Sequence, residues 1–360
     1  QRTRNGNRSR TGRSDDRERS AENTMTKRLL RASTFLLGAA LLAYILYRFG
    51  SAQVWLDLRS IGWRFLVIVA LEVLVTGASA RAWWHIFPSR ARRGSFPRLF
   101  LLQLAGNALN DSTPGAPVGG EPVKVMLLKE QFPVSVTTAS LLSAKLAQAL
   151  ARVLFVILGM LAASWSLKVD RLPVEALAIG FIVTAVGVAT FMALQIRGFS
   201  GPARRASARL RFLGNWVERI EHGLGRVDEH LQELYSARPS DFVVSIMLGF
   251  AGLCVGIVQI WLMMGWMGLR QDWLSSVTIE AFSVLVGLVS FAIPASLGAQ
   301  EGGKLLIFAA LGLPISAGLS MGVTFRLNNV ANLLIGFAVL AWLRPHRAFR
   351  AARRVETTER

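Results

Sequence analysis

The chain has 360 residues, with 41 Lys and Arg against 22 Asp and Glu for a formal charge of +19, and a mean hydropathy of +0.41. Average globular chains carry about 25% charged residues; here the share is 18%, crowded into a few blocks, so a water-soluble domain is a poor fit. One cysteine, Cys254, forbids an intramolecular disulfide, the scattered His85, His222, His230 and His346 offer no zinc spacing, and no GxGxxG, Walker loop or Ser/His/Asp signature is present. Neither metal, cofactor nor catalytic residues are expected.

In chain order, residues 1–30 form a basic tail rich in Arg, Ser, Asn and Asp, which cannot offset its ordering entropy by burial and reads as disordered. Met25 within it is an alternative start. Residues 31–345 read as a transporter-like transmembrane domain. Its apolar runs are Ala32 to Tyr47, Phe65 to Trp84 (broken by Glu72 and Arg81), Val153 to Leu167 (extending back through polar-dotted Thr137 to Arg152), Glu175 to Arg197, Phe242 to Leu269, Ala281 to Gln300, Leu305 to Phe325 and Leu327 to Leu343. The longer ones suffice, at about 1.5 Å per residue, to cross a hydrocarbon layer of about 30 Å. Between the fourth and fifth runs, Leu210, Leu213, Val217, Ile220, Leu224, Val227, Leu231 and Leu234 alternate at spacings of three and four. That pattern gives an amphipathic helix over about 203–236, lying on the membrane or the protein's own cytoplasmic face, or else dimerising as a coiled coil. Residues 346–360 are a second basic tail.

Arginine-rich segments stay on the cytoplasmic side. These are the first tail, the loop with Arg90, Arg92, Arg93 and Arg98, the stretch from Arg197 to Arg238, and the end after Arg344. The rule predicts a multi-pass inner-membrane protein with both termini cytoplasmic. Trp55, Trp63, Trp83, Trp165, Trp273 and Trp342 fall at run ends, as an interfacial aromatic belt requires.

Two breaks interrupt the apolar pattern, at Asn107 to Gly120 and Ser290 to Ala299. At an offset of 180, Pro114 meets Pro294, Glu121 meets Glu301 and Lys124 meets Lys304. After one extra residue, Pro133-Val-Ser135 meets Pro314-Ile-Ser316, Lys145 meets Arg326 and Gln148 meets Asn329. Repeat 1 spans about 61–166 and repeat 2 about 241–344. The charge rule runs the first span of repeat 1 outside to inside and that of repeat 2 inside to outside. The fold class is therefore all-α: a polytopic helical membrane protein with inverted-topology repeats, six full spans and two opposed re-entrant hairpins. Broken helices in inverted repeats point to a transporter with its site near the midplane. The breaks themselves are marked by Asn107, Asn110, Asp111, Pro114, Pro117, Gly119 and Gly120, and by Pro294, Gly298, Gly302 and Gly303.

Ionised groups at membrane depth need partners. Glu121 and Glu301 open the return helices, with Lys124 and Lys304 one turn later on the same face. Each Glu can pair with its own Lys at a helix N-terminus, or with Lys145 and Arg326 respectively, or act as a gate or proton-coupling group. Lys145, Arg152 and Arg326 suit an anionic headgroup, since Arg offers a planar fork and Lys a point charge. Gln148, Gln300 and Asn329 add polar groups beside them, and together these residues form the candidate substrate site. Asn107, Asn110 and Asp111 satisfy hairpin backbone or serve the site. Glu280 reads as interfacial, and Glu72 has no assigned place.

The segments Gly119-Gly120-Glu121, Pro294-Ala-Ser-Leu-Gly298-Ala-Gln300-Glu301-Gly302-Gly303, Gly312-Leu-Pro314 and Arg326 resemble the lysylphosphatidylglycerol synthase transmembrane-region, or flippase-like, family. The wording is most similar to its hopanoid-biosynthesis-associated branch, departing at Lys304 and Asn328-Asn329. The resemblance implies translocation of a lipid or lipid-linked headgroup, with Glu121, Glu301 and Arg326 taking part. Membrane lipids are the expected partners, with lipid-biosynthesis enzymes as further ones and no nucleic acid. No soluble stretch among these residues is long enough for the aminoacyl-transfer domain fused in the family's namesake. A non-enzymatic lipid translocase is the leading reading. A membrane scaffold for lipid biosynthesis and a membrane-embedded enzyme on a lipid-linked substrate are the alternatives.

Overall fold

The computed structural model describes residues 52–88, 92, 95–112, 119–166, 215–289 and 299–343, with short pieces at 182, 185–190 and 192–193. The tails, the run from Ala32, most of the run from Glu175, and Pro114, Pro117, Pro294 and Gly298 lie outside them. The elements in these main stretches are helices: α1 (Ala52–Ile61), α2 (Phe65–Ile86), α3 (Phe96–Ser112), α4 (Gly120–Leu128), α5 (Val134–Ser166), α6 (Asn215–Ala237), α7 (Pro239–Trp266), α8 (Trp273–Val289), α9 (Ala299–Ala310) and α10 (Ile315–Leu343). Four segments are long and apolar enough to cross a membrane: Trp55–Ile86, Val134–Ala162, Pro239–Trp266 and Ile315–Leu343.

Helices α2 and α7 run antiparallel along their lengths. Gln259 Nε2 donates to the Ile68 carbonyl at 3.1 Å near one end, Gly252 faces Val75, and Asp241 lies 3.7 Å from His85 at the other end. Around this central pair, α2 packs on α3 and α7 on α8; α3 packs on α4 and α8 on α9; α4 packs on α5 and α9 on α10. Crosswise, α3 packs on α10 and α5 on α8, while α5 also packs on α7 and α10 on α2.

The apolar core divides between the two ends of this assembly. Ile68, Ile260, Met263, Met264, Ile279, Phe308 and Met321 close one end. Trp83, Phe87, Leu99, Leu102, Leu128, Ala147 and Leu234 close the other. Glycines permit the closest approaches: a Cβ on Gly159 would meet Ala281, and one on Gly336 would meet Ala108 and the Leu104 carbonyl. The run from Leu305 to Phe325 is split where Gly312 takes φ +71°, the left-handed conformation that favours glycine, which ends α9 and lets Pro314 precede α10.

Of the belt tryptophans, Trp55, Trp63, Trp273 and Trp342 are exposed on the surface. Trp83 is not a belt residue. It is 1% exposed, packs on Phe87, and spends its indole N–H on Ser140 Oγ at 3.1 Å, because α2 turns this face toward α5. Helix α6 docks on the protein itself: Val227 and Leu231 are buried against Ala139 and Leu142 at the start of α5, and Tyr235 stacks edge-on against Phe242. At the same end Asp241 gathers Arg92, Arg238 at 3.6 Å and His85. Arg92 and Arg238 each donate to the Phe87 carbonyl at 2.9 Å, satisfying a carbonyl that α2 leaves without an intrahelical partner.

Candidate functional site

Two glutamate-centred clusters occupy the interior. In the first, α3 and α4 lie antiparallel and close: a Cβ on Gly120 would strike the Gly106 carbonyl, and one on Gly106 would strike the Lys124 side chain. Asn110 Oδ1 accepts from the Gly120 N–H at 2.8 Å, tying the start of α4 to α3. Glu121 Oε1 then collects Asn110 Nδ2 at 3.2 Å, Lys124 Nζ at 3.3 Å and Lys145 Nζ at 2.9 Å. Its other oxygen, Oε2, is buried without a hydrogen bond. Lys124 is 1% exposed and also donates to Gln103 Oε1 at 3.0 Å, while its ammonium lies 5.7 Å from the Trp83 ring centroid. Gln103 in turn donates to Asn107 Oδ1 at 3.2 Å. Lys145 differs from Lys124 in that its side chain is 41% exposed.

In the second cluster, Glu301 Oε1 accepts from Arg326 Nε at 2.9 Å and from Nη2 at 2.6 Å. The Glu301 side chain is 2% exposed and that of Arg326 is 20% exposed. The partner of Glu121 from α5 and the partner of Glu301 from α10 are thus the residues that the sequence offset sets opposite one another. The local pairing differs between the clusters. Lys124 bonds its own Glu121, whereas Lys304 lies with its ammonium 5.0 Å from the Phe325 ring centroid, facing both Glu280 and Glu301.

Glu280 is not interfacial. It sits midway along α8 with its carboxylate against Gly256 of α7, whose missing side chain leaves the room it occupies. Glu72, on α2, accepts from Gln259 Nε2 at 3.4 Å and Asn328 Nδ2 at 3.5 Å. Asp111 is exposed at the end of α3, facing Glu72 and Lys145.

The remaining candidates are not gathered with the glutamates. The side chains of Gln148, Arg152, Gln300 and Asn329 make no hydrogen bond or ion pair with the described residues. Gln148 is half-buried near Gly249, Gln300 is half-buried at the start of α9, and Arg152 and Asn329 are exposed. Arg152 lies seven residues after Lys145, on the same side of α5. Gly119 precedes α4, Gly302 has open space at its Cβ position, and Gly303 faces Val286.

Long apolar helices around internally paired charges define a polytopic helical membrane protein. The chain belongs to the lysylphosphatidylglycerol synthase TM region family, whose model matches residues 32–356. No curated protein and no solved structure matches it.

Proposed function

We propose that the protein moves a lipid with an anionic or polar headgroup between leaflets, leaving its chemistry unaltered, by exposing an interior site to each side in turn. The observation that carries this reading is the pair of equivalent ion pairs, Glu121–Lys145 and Glu301–Arg326. Each holds a cation at membrane depth against a glutamate that a headgroup phosphate can displace.

The helices support an inverted repeat. Counting α2 to α5 against α7 to α10 reproduces the order and similar lengths. Exchanging the two sets also carries the packing pairs α2–α3, α3–α4, α4–α5, α3–α10 and α5–α7 into α7–α8, α8–α9, α9–α10, α8–α5 and α10–α2. The antiparallel contact of α2 with α7 fits opposite orientations for the two copies. Re-entrant hairpins are supported by length. Helices of 17 and 9 residues, α3 and α4, rise about 25 Å and about 13 Å. Both fall short of the roughly 30 Å hydrocarbon layer. In this reading the protein lies in the inner membrane with both termini cytoplasmic, and repeat 1 rocks against repeat 2.

Lys145→Gln tests the site. Glu121 keeps Lys124 and Asn110, so the fold should persist. The expected result is loss of movement of NBD-labelled phosphatidylglycerol in proteoliposomes, with the mass spectrum of the lipid unchanged in wild type and variant alike. Unchanged movement removes Lys145 from the path, and a chemically altered lipid in the wild type favours an enzyme.

A further inference from the structure

Glu72 lies in the first half of α2, near the middle of the apolar segment Trp55–Ile86, yet it is held differently from Glu121 and Glu301. Its two hydrogen-bond donors are amides from other helices, Gln259 of α7 and Asn328 of α10. Gln259 is 2% exposed and Asn328 0%. Both are fixed in place: Gln259 Nε2 also donates to the Ile68 carbonyl at 3.1 Å, and Asn332 donates to Asn328 Oδ1 at 3.1 Å.

The charged groups facing Glu72 carry its own sign: Asp111 from α3 and Glu280 from α8. The nearby cations are committed elsewhere, Lys145 to Glu121, Arg326 to Glu301, and Lys304 between Glu280 and Glu301. Among the described residues no Lys or Arg forms an ion pair with Glu72. An unneutralised charge inside an apolar span is costly, and neutral amides do not cancel it. A bound proton does.

We propose that Glu72 is a proton-binding site whose loading and unloading is coupled to the lipid movement. The inference rests on the translocation reading above. With the proton bound, the neutral acid sits between Gln259 and Asn328 and bridges α2 to α7 and α10. On release the proton passes to water on the open side, and the carboxylate left behind repels Asp111 and Glu280, loosening α2 from α3. Uptake of a proton from water on the other side restores the neutral acid, so one proton crosses per cycle.

The test uses the full chain in phosphatidylcholine vesicles containing NBD-labelled phosphatidylglycerol, with pyranine trapped inside, with and without an imposed pH gradient. The expected result is lipid movement that responds to the gradient together with proton flux, both lost in Glu72→Gln. Lipid movement indifferent to the gradient, or a response retained by Glu72→Gln, overturns the proton site and leaves translocation standing. Wild-type protein that moves no lipid under either condition overturns translocation itself and the coupling with it. Infrared difference titration supplies a readout that does not require transport: a carboxylic-acid carbonyl band that titrates with pH and is missing from Glu72→Gln. Should that variant fail to assemble, Asn328→Ala must shift the band in frequency; an unmoved band overturns the assignment.

Discussion

Replacing Arg326 by alanine would leave Glu301, 1% exposed, as a buried charge stripped of its two guanidinium bonds. Breaking a buried pair from one side costs about 3–5 kcal/mol, whereas removing both partners is often nearly neutral; Lys304, which also faces Glu301, is shared with Glu280 and offsets only part of that cost. Arg326→Ala is therefore expected to destabilise the protein severely, and Glu301→Gln combined with Arg326→Ala to recover most of the loss. The contrast is Lys145→Gln. Lys145 is 41% exposed, and Glu121 keeps Lys124 and Asn110, so the remaining donors hold the expected cost to about 1 kcal/mol. Denaturation of the detergent-solubilised variants, arranged as a double-mutant cycle, reads both effects. A double variant whose loss equals the sum of the two single losses would refute the argument, as would equal costs for Arg326→Ala and Lys145→Gln.

Three further outcomes follow from the packing. Gly120→Ala drives a Cβ into the Gly106 backbone carbonyl, which no rotamer change relieves, and should cost about 1–3 kcal/mol, while Gly302→Ala enters open space inside α9 and should stabilise by about 0.5–1 kcal/mol; thermal denaturation orders them. Leu231→Ala, at a fully buried contact of α6 with α5, should cost about 2–5 kcal/mol and make the chain between residues 225 and 237 more sensitive to limited proteolysis. Asp57→Ala removes the acceptor of the 2.6 Å bond from Ser320 Oγ, and hydrogen exchange should show α1 opening from α10 more often than in the wild type.

The ion pairs were legible in the sequence because their residues repeat in register: Lys145 and Arg326 each stand twelve positions beyond a proline, and the glutamates share the same spacing from their own prolines. The contact of α6 with the protein itself was one of the readings its periodicity left open. The surroundings of Glu72 were not legible. Gln259 and Asn328 lie 187 and 256 residues from it, and no period connects partners brought together only by helix packing. A weak signal existed in Gln259, a lone amide in an otherwise apolar stretch of α7. Glu280 was misplaced for a related reason. Its burial depends on Gly256 of a neighbouring helix, and a glycine in an apolar run does not announce which side chain fills the space beside it. Trp83 illustrates the reverse: its place at a run end suggested the interface, but Ser140 offers its N–H a buried acceptor.

Thiol accessibility from each side of the membrane reads the alternating exposure itself. With Cys254 replaced by alanine, Asp111→Cys and Gln300→Cys place single thiols at the end of α3 and one residue before Glu301, and a membrane-impermeant maleimide is applied from one face of sealed vesicles and then the other. Alternating exposure predicts that both positions react from both faces, and that closing one face by cross-linking leaves them reactive from the opposite one. Labelling of each thiol from a single face, unchanged by the cross-link, would contradict the account.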